Sequence, residues 1–251
     1  ERDLYALGAS YECDLLRGSS EPKPFWITEL QGGNNLYRPP YPFNPSEKDI
    51  AQFLWTILGA GGKRIVYWKL DPSSAWSLLD FQGRPSERIN TTKAVSEIVK
   101  MESAFFENAE AYDSPITILL SLETMTQQLA TEGWNIEAES DHAGRSKNAH
   151  LLSALGYYRT FLEMGVPVNM KHVHHYDWQN IEGPPRLAIM PHITAINPDM
   201  IDDIEAFVSG GNHLIISGLT GIYDQNRRFL PTSEFPLQDM LGSRLKEIRI
   251  P

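Results

Sequence analysis

Hydrophobic and polar positions alternate between two rhythms along the chain. Residues 3–17, DLYALGASYECDLLR, carry apolar positions at helical spacing, and PFWITE, residues 24–29, reads as a strand that follows a proline. A Pro/Tyr-rich loop, RPPYPFNP, precedes SEKDIAQFLWTILGAGG, where Ser46 suits an N-cap, acids occupy the first turn and glycine marks the stop. KRIVYWKLD, 63–71, is a second strand. Between Ser86 and about Phe106, Ile89, Val95, Ile98, Val99 and Phe105 recur at helical spacing. The first hundred residues therefore predict strand, helix, strand, helix, with strands apolar along their length, as parallel strands covered by helices are. Four such elements cannot close a barrel on their own, so they are expected to be the tail of something larger.

A second rhythm starts near residue 114. SPITILLS, PVNMKHV, RLAIMP and HLIISG are short apolar runs, separated by the helical segments RSKNAHLLSALGYYRTFLEMG and PDMIDDIEAFVSGG. Short strands alternating with helices predict an open, doubly wound α/β unit. The boundary is placed in NAEAYDS, giving units of 1–112 and 113–251.

Composition narrows the function classes. Of the 251 residues, 41% are apolar and 22% charged, as in an ordinary globular protein. A net charge of −10 with no basic stripe argues against nucleic acid as a partner, and no apolar run approaches the roughly 20 residues that span a bilayer. No basic-then-apolar leader is read at the start, and a chain opening on Glu1 is expected to be processed or part of a longer one; the expected compartment is cytoplasm or periplasm. Cys13 is the single cysteine, so an intrachain disulfide or a cysteine zinc cluster is excluded. Four of the six tryptophans, Trp26, Trp55, Trp68 and Trp76, fall in the first eighty residues, a cluster that suits either core packing or a sugar-binding cleft.

The residue that raises a chemical question is Glu29. Period-two alternation puts it on one strand face with Phe25 and Ile27, opposite Trp26 and Thr28, at the carboxyl end of the strand. That end carries the active site in parallel α/β architectures. A carboxylate ending a strand at the surface is the bland reading, and the glycine-rich QGGNN that follows weakens it.

PFWITELQGG, a helix, then GGKRIVYWKLD resembles the end of the catalytic barrel of glycoside hydrolase family 42, the β-galactosidase-like family of retaining (β/α)8 glycosidases. YECDLLRGSSEPKP resembles the approach to that strand. GYYRTFLEMGVPVNM, FVSGGNHLIISG and MLGSRLKEI resemble the family's second domain, a flavodoxin-like, glutamine-amidotransferase-like fold that mediates trimer formation. The resemblance implies a TIM-barrel portion over 1–112 and a trimerisation domain over 113–251, a carbohydrate substrate, a homotrimer and no cofactor. It also implies that Glu29 is the nucleophile, which must stay ionised, so hydrogen bonds from neighbours are expected to hold its charged form. Trp68, Trp76, Asn35 and Tyr37 become the substrate-binding candidates.

The chain departs from the family pattern in three places. GGNNLY stands where a proline and then a tryptophan are common, with Tyr37 in the tryptophan's place. DPSSAWSLLDFQG lacks the glutamate and histidine that hold galactosyl hydroxyls, and Trp76 sits near the glutamate's position, which bears on selection of the galactose epimer. No Asn-Glu pair precedes Glu29, so the acid/base is expected outside this chain, which alone should not hydrolyse glycosides. A non-catalytic carbohydrate-binding or oligomerisation protein with the same fold is the alternative. HVHHYDW places His172 and His174 on one strand face with His175 close by, read as a surface cluster rather than a metal site. With no cysteine after Cys13, glutamine hydrolysis is not expected.

Overall fold

Ser46 opens the best-defined helix of the amino-terminal half. Its hydroxyl accepts from the Asp49 N–H and the Asp49 carboxylate accepts from the Ser46 N–H, a reciprocal capping box. The computed structural model describes residues 2–34, 43–132, 148–180, 183–231, 234–243 and 246, and the chain forms two units, Glu1–Tyr112 and Asp113–Pro251.

In the first unit the order is α1 (Arg2–Ser20), β1 (Trp26–Gln31), α2 (Glu47–Gly59), β2 (Arg64–Trp68), α3 (Glu87–Met101) and α4 (Ser103–Asn108). The helical pattern expected over 86–106 is divided because Glu102 leaves helical dihedrals, at φ −104° and ψ 29°. β1 and β2 pair in parallel. Ile50, Leu54 and Ile57 of α2, spaced by four and three residues, are buried, and Ile27, Leu30, Ile65 and Tyr67 of the strands pack into the same clusters. Cys13 of α1 is buried there, and burial pushes its thiol up to about 12, so it serves as a small apolar group.

The second unit runs β3 (Ile116–Leu120), α5 (Leu122–Glu132), α6 (Ala149–Glu163), β4 (Asn169–His172), β5 (Leu187–Pro191), β6 (Ala195–Ile196), α7 (Ile201–Ser209), β7 (His213–Ser217), β8 (Tyr223–Asp224) and α8 (Gln238–Leu241). Its main sheet is parallel throughout, in the order β4-β3-β5-β7, and β6 pairs with β8 in a small second sheet. The central strands ITILL and LAIMP are buried almost along their whole length, whereas β4 and β7 at the edges are mixed. Trp178 and Phe207 meet edge to face at 5.5 Å in the core beside Tyr176, Met190 and Ile204.

Helix α5 escapes a reading based on apolar periodicity because its buried face is polar. Thr124, Gln127 and Gln128 are buried, and they bond Ala195, Thr194 and His150 respectively. The amino end of α5 is closed by two imidazoles. His150 Nε2 accepts from the Ser121 N–H at 3.0 Å and His172 Nε2 accepts from the Leu122 N–H at 3.1 Å. His150 is therefore the neutral tautomer protonated at Nδ1, which donates to the Pro191 carbonyl at 2.6 Å.

Burial lowers His150 from 6.5 to about 4, against the opposing pull of the Pro191 carbonyl. The unfolded chain then binds the proton more readily than the folded one. The contribution of the neutral ring is present in full above pH 6.5 and is lost as the pH falls through 4. It amounts to about 3 kcal/mol, taking about 1.4 kcal/mol per unit of pKa. Urea unfolding of the second unit should lose about that much between pH 7 and pH 4 in the wild type, beyond what His150→Gln loses. Equal losses in the two proteins would refute the assignment.

Candidate active site

Glu29 does not follow simple alternation. The pairing of β1 with β2 runs Trp26 with Arg64 and Ile27 with Ile65, then shifts so that Leu30 faces Tyr67 and Gln31 faces Trp68. The extra residue between them is a β-bulge. Thr28 and Glu29, successive in sequence, are both exposed, while Leu30 packs with Ile27 and Ile65 beneath the helices. The expectation that Glu29 shares a face with Phe25 and Ile27 is thus corrected. The bulge moves it to the open side with Trp26, and Leu30 takes the core position. The strand also continues two residues past Glu29, to Gln31.

That open side belongs to a parallel pair with one face uncovered in this unit. Trp26 is 50% exposed, Val66 48% and Trp68 47%. The Arg64 guanidinium lies over the Trp26 ring, 4.2 Å from its centroid. Among the described residues Glu29 has no hydrogen-bond or ion-pair partner, so the expected neighbours that would hold its charge are not found there.

Two loops at the carboxyl ends of the strands are joined. The Gly32 N–H donates to the Trp68 carbonyl at 3.2 Å, and the Asn34 N–H donates to the Ala75 carbonyl at 2.8 Å. Within the second loop, the Lys69 N–H donates to the Trp76 carbonyl and the Leu78 N–H to the Lys69 carbonyl. This folding-back brings Trp76 to 6.4 Å from Trp68, centroid to centroid, in a tilted pair, although eight residues separate them. The Trp68–Lys69 peptide is cis. The Gln31 amide donates to the Gly33 and Phe43 carbonyls at 2.7 and 2.9 Å, and Arg88 of α3 donates to the Gly32 and Ser77 carbonyls at 2.8 and 3.2 Å. Sequence reasoning missed Gln31 and Arg88, because their roles depend on backbone carbonyls that no motif records. Asn35 and Tyr37 lie outside the described residues.

In the second unit, β4 ends at His172 and a 3-10 turn holds Val173–His175, so the histidines meet through the turn and not by strand alternation. His174 Nε2 is 2.9 Å from Glu123 Oε1, and the His172 and His174 rings are 5.2 Å apart. Burial lowers His172, in keeping with a ring that accepts the Leu122 N–H. Among the described residues no group of three or more His, Cys, Asp or Glu could hold a metal ion, and no helix is long and apolar enough to cross a membrane. The crevice between the carboxyl ends of β3 and β5, where doubly wound sheets bind ligands, is crossed by the bonds of His150 to Ser121 and Pro191 and of Thr124 to Ala195.

Fold and loop geometry together define a parallel α/β protein whose carboxylate and aromatic side chains gather at the carboxyl ends of two strands. Residues 130–250 match the model of the β-galactosidase trimerisation domain, and the chain is similar in fold to glycoside hydrolase family 42 β-galactosidases. A catalytic mutant of such a β-galactosidase from G. stearothermophilus matches with a TM-score of 0.75 and 17% identity, over 94% of this chain and 33% of that one. The β-galactosidase of the Antarctic haloarchaeon Halorubrum lacusprofundi matches with a TM-score of 0.72 and 17% identity, over 95% and 34%. That of Bacillus circulans sp. alkalophilus gives 0.72 and 14%, over 93% and 33%. At these identities the likeness is one of fold, and the chain spans about a third of the length of each. No curated protein matches the chain in sequence.

The tightest constraint in the joined loops is Gly33. A Cβ built there would lie 2.3 Å from the Ala75 carbonyl oxygen and 2.6 Å from that of Ser77, both backbone atoms that cannot swing aside. Gly33→Ala should therefore separate the loops and lower the stability of the first unit by about 1–3 kcal/mol, as overpacking does. A denaturation midpoint equal to the wild type would show that the loops do not make this contact.

Proposed function

We propose that the chain is part of a retaining glycoside hydrolase in which Glu29 is the nucleophile. The observation that carries this reading is the β1 bulge, which turns Glu29 to the open side of the strand pair that also bears Trp68. A retaining mechanism needs a carboxylate to attack the anomeric carbon and a second carboxyl about 5 Å away, acting first as acid and then as base. Residues 1–112 read as a carboxyl-terminal portion of a (β/α)8 barrel, in which the uncovered face of β1 and β2 points inward. The second carboxyl would come from an earlier barrel strand outside this chain, which is then inactive by itself.

Trp68 and Trp76 form an aromatic wall suited to the apolar face of a sugar ring. With Trp76 in a loop that lacks the family's glutamate and histidine for galactosyl hydroxyls, a β-galactoside is the leading substrate class, and epimer selection must rest on other groups. Counted within the second unit, the sheet order is 2-1-3-4, which supports a flavodoxin-like, amidotransferase-like fold over 113–251. Its crevice is filled by the unit's own side chains, which favours assembly, as a homotrimer, over chemistry.

A second reading has one observation in its favour. Glu29 is exposed without a partner among the described residues, as it would be in a carbohydrate-binding or oligomerisation protein that has lost turnover. The two readings separate in the complete protein. Glu29→Gln should reduce turnover of an aryl β-galactoside by at least about a thousandfold while leaving sugar binding within a few-fold, as removal of a group needed only for the chemical step does. Undiminished turnover would remove Glu29 from the mechanism. A wild-type protein that binds sugar and turns over none would support the second reading.

A further inference from the structure

We propose that Arg88 is a positioning residue that clamps the loops following β1 and β2, and so fixes Glu29 against the Trp68–Trp76 wall. What the clamp serves rests on the nucleophile reading above; the clamp itself does not.

The GlyGlyAsn stretch after β1 has little intrinsic stiffness, since glycine loses more backbone freedom on ordering than any other residue. It must be held from outside. Arg88 lies in the first turn of α3, and its Nε donates to the Gly32 carbonyl while a terminal amine donates to the Ser77 carbonyl. One planar group thus touches the residue three places after Glu29 and the residue next to Trp76. No carboxylate pairs with Arg88 among the described residues, and the guanidinium is half-buried, so its donors are committed to these loops. Burial also draws Arg88 below its ordinary value, the mark of a cation desolvated without an acid beside it.

The helix that carries it is anchored on both sides. The Ser86 hydroxyl donates to the Leu78 carbonyl at the end of the second loop, and Thr92 bonds the Tyr67 hydroxyl on the core side of β2 at 2.9 Å. The fork therefore projects from a fixed base. Lysine carries the charge but cannot span two carbonyls with a rigid planar group. A nucleophile loosened by about 1 Å typically loses about a hundredfold in rate, and the clamp acts at that scale.

The test has two arms. In the 251-residue chain, Arg88→Met should speed amide exchange at Asn34 and Leu78 at least about tenfold, while the amides of Leu54 and Ile57 in α2 keep wild-type rates as the control for folding of the first unit. Arg88→Lys should fall between, and it carries the comparison if the methionine variant does not fold. In the complete protein, Arg88→Met should lower kcat for an aryl β-galactoside about a hundredfold with KM within about threefold, and Arg88→Lys should restore part of the loss. Wild-type exchange at Asn34 and Leu78 in both variants would overturn the clamp. Faster exchange with unchanged kcat would overturn its link to Glu29. If Glu29→Gln keeps full turnover, the nucleophile reading falls, and the exchange arm still decides the clamp.

Discussion

Everything at the carboxyl ends of β1 and β2 depends on a backbone contact between two loops. The Asn34 N–H reaches the Ala75 carbonyl and the Gly32 N–H reaches the Trp68 carbonyl, so the segment after the first strand is pinned to the segment after the second. That pinning is possible because residue 33 has no side chain, and the second loop's own folding-back, through Lys69, draws Trp76 up to Trp68. The bulge between Ile27 and Leu30 completes the arrangement by turning Glu29 outward without costing Leu30 its place in the core. Each feature would be unremarkable alone. Together they put an acid and two indoles at one end of one strand pair.

The same strand pair contrasts with the sheet of the second unit. β3 and β5 have neighbours on both edges and layers on both faces, and their side chains are almost wholly buried. β1 and β2 are parallel as well, yet Trp26, Val66 and Trp68 remain about half exposed. Parallel strands ordinarily bury both faces, because their crossovers place helices on one side and either helices or the barrel interior lies on the other. The helices cover only the Ile27, Leu30, Ile65 and Tyr67 side. On the proposed reading of residues 1–112 as part of a barrel, this face would point inward, which accounts for its apolar exposure.

Much of this architecture was legible in the sequence, and the failures have physical causes. Strands written as continuous apolar runs, SPITILLS and RLAIMP, and a helix written as an apolar face behind Ser46, are found where periodicity puts them. Helix α5 is not legible, since Thr124, Gln127 and Gln128 bury a polar face that shows no apolar period. β6 and β8 are two residues each, too short for any pattern. That Glu29 lies near the end of a strand was legible, and its direction was not, because a bulge shifts alternation by one and leaves no mark in composition. Trp68 and Trp76, named together as candidates, do meet, whereas Arg88 and Gln31 gave no sign of their roles, because they act on backbone carbonyls brought close only by the fold.

The second unit uses the ends of its sheet for bonds of its own. At its sheet ends, the α5 amino terminus and the β3–β5 crevice are places where doubly wound proteins seat anions and ligands, through free N–H groups and open space. Here the Ser121 and Leu122 N–H groups are taken by His150 and His172, and Thr124 bonds across to Ala195. These two N–H groups at the helix start are thereby already paired. The bonds across the crevice tie α5 to the carboxyl ends of β3 and β5. The unit's sensitivity to pH then follows from the same two rings.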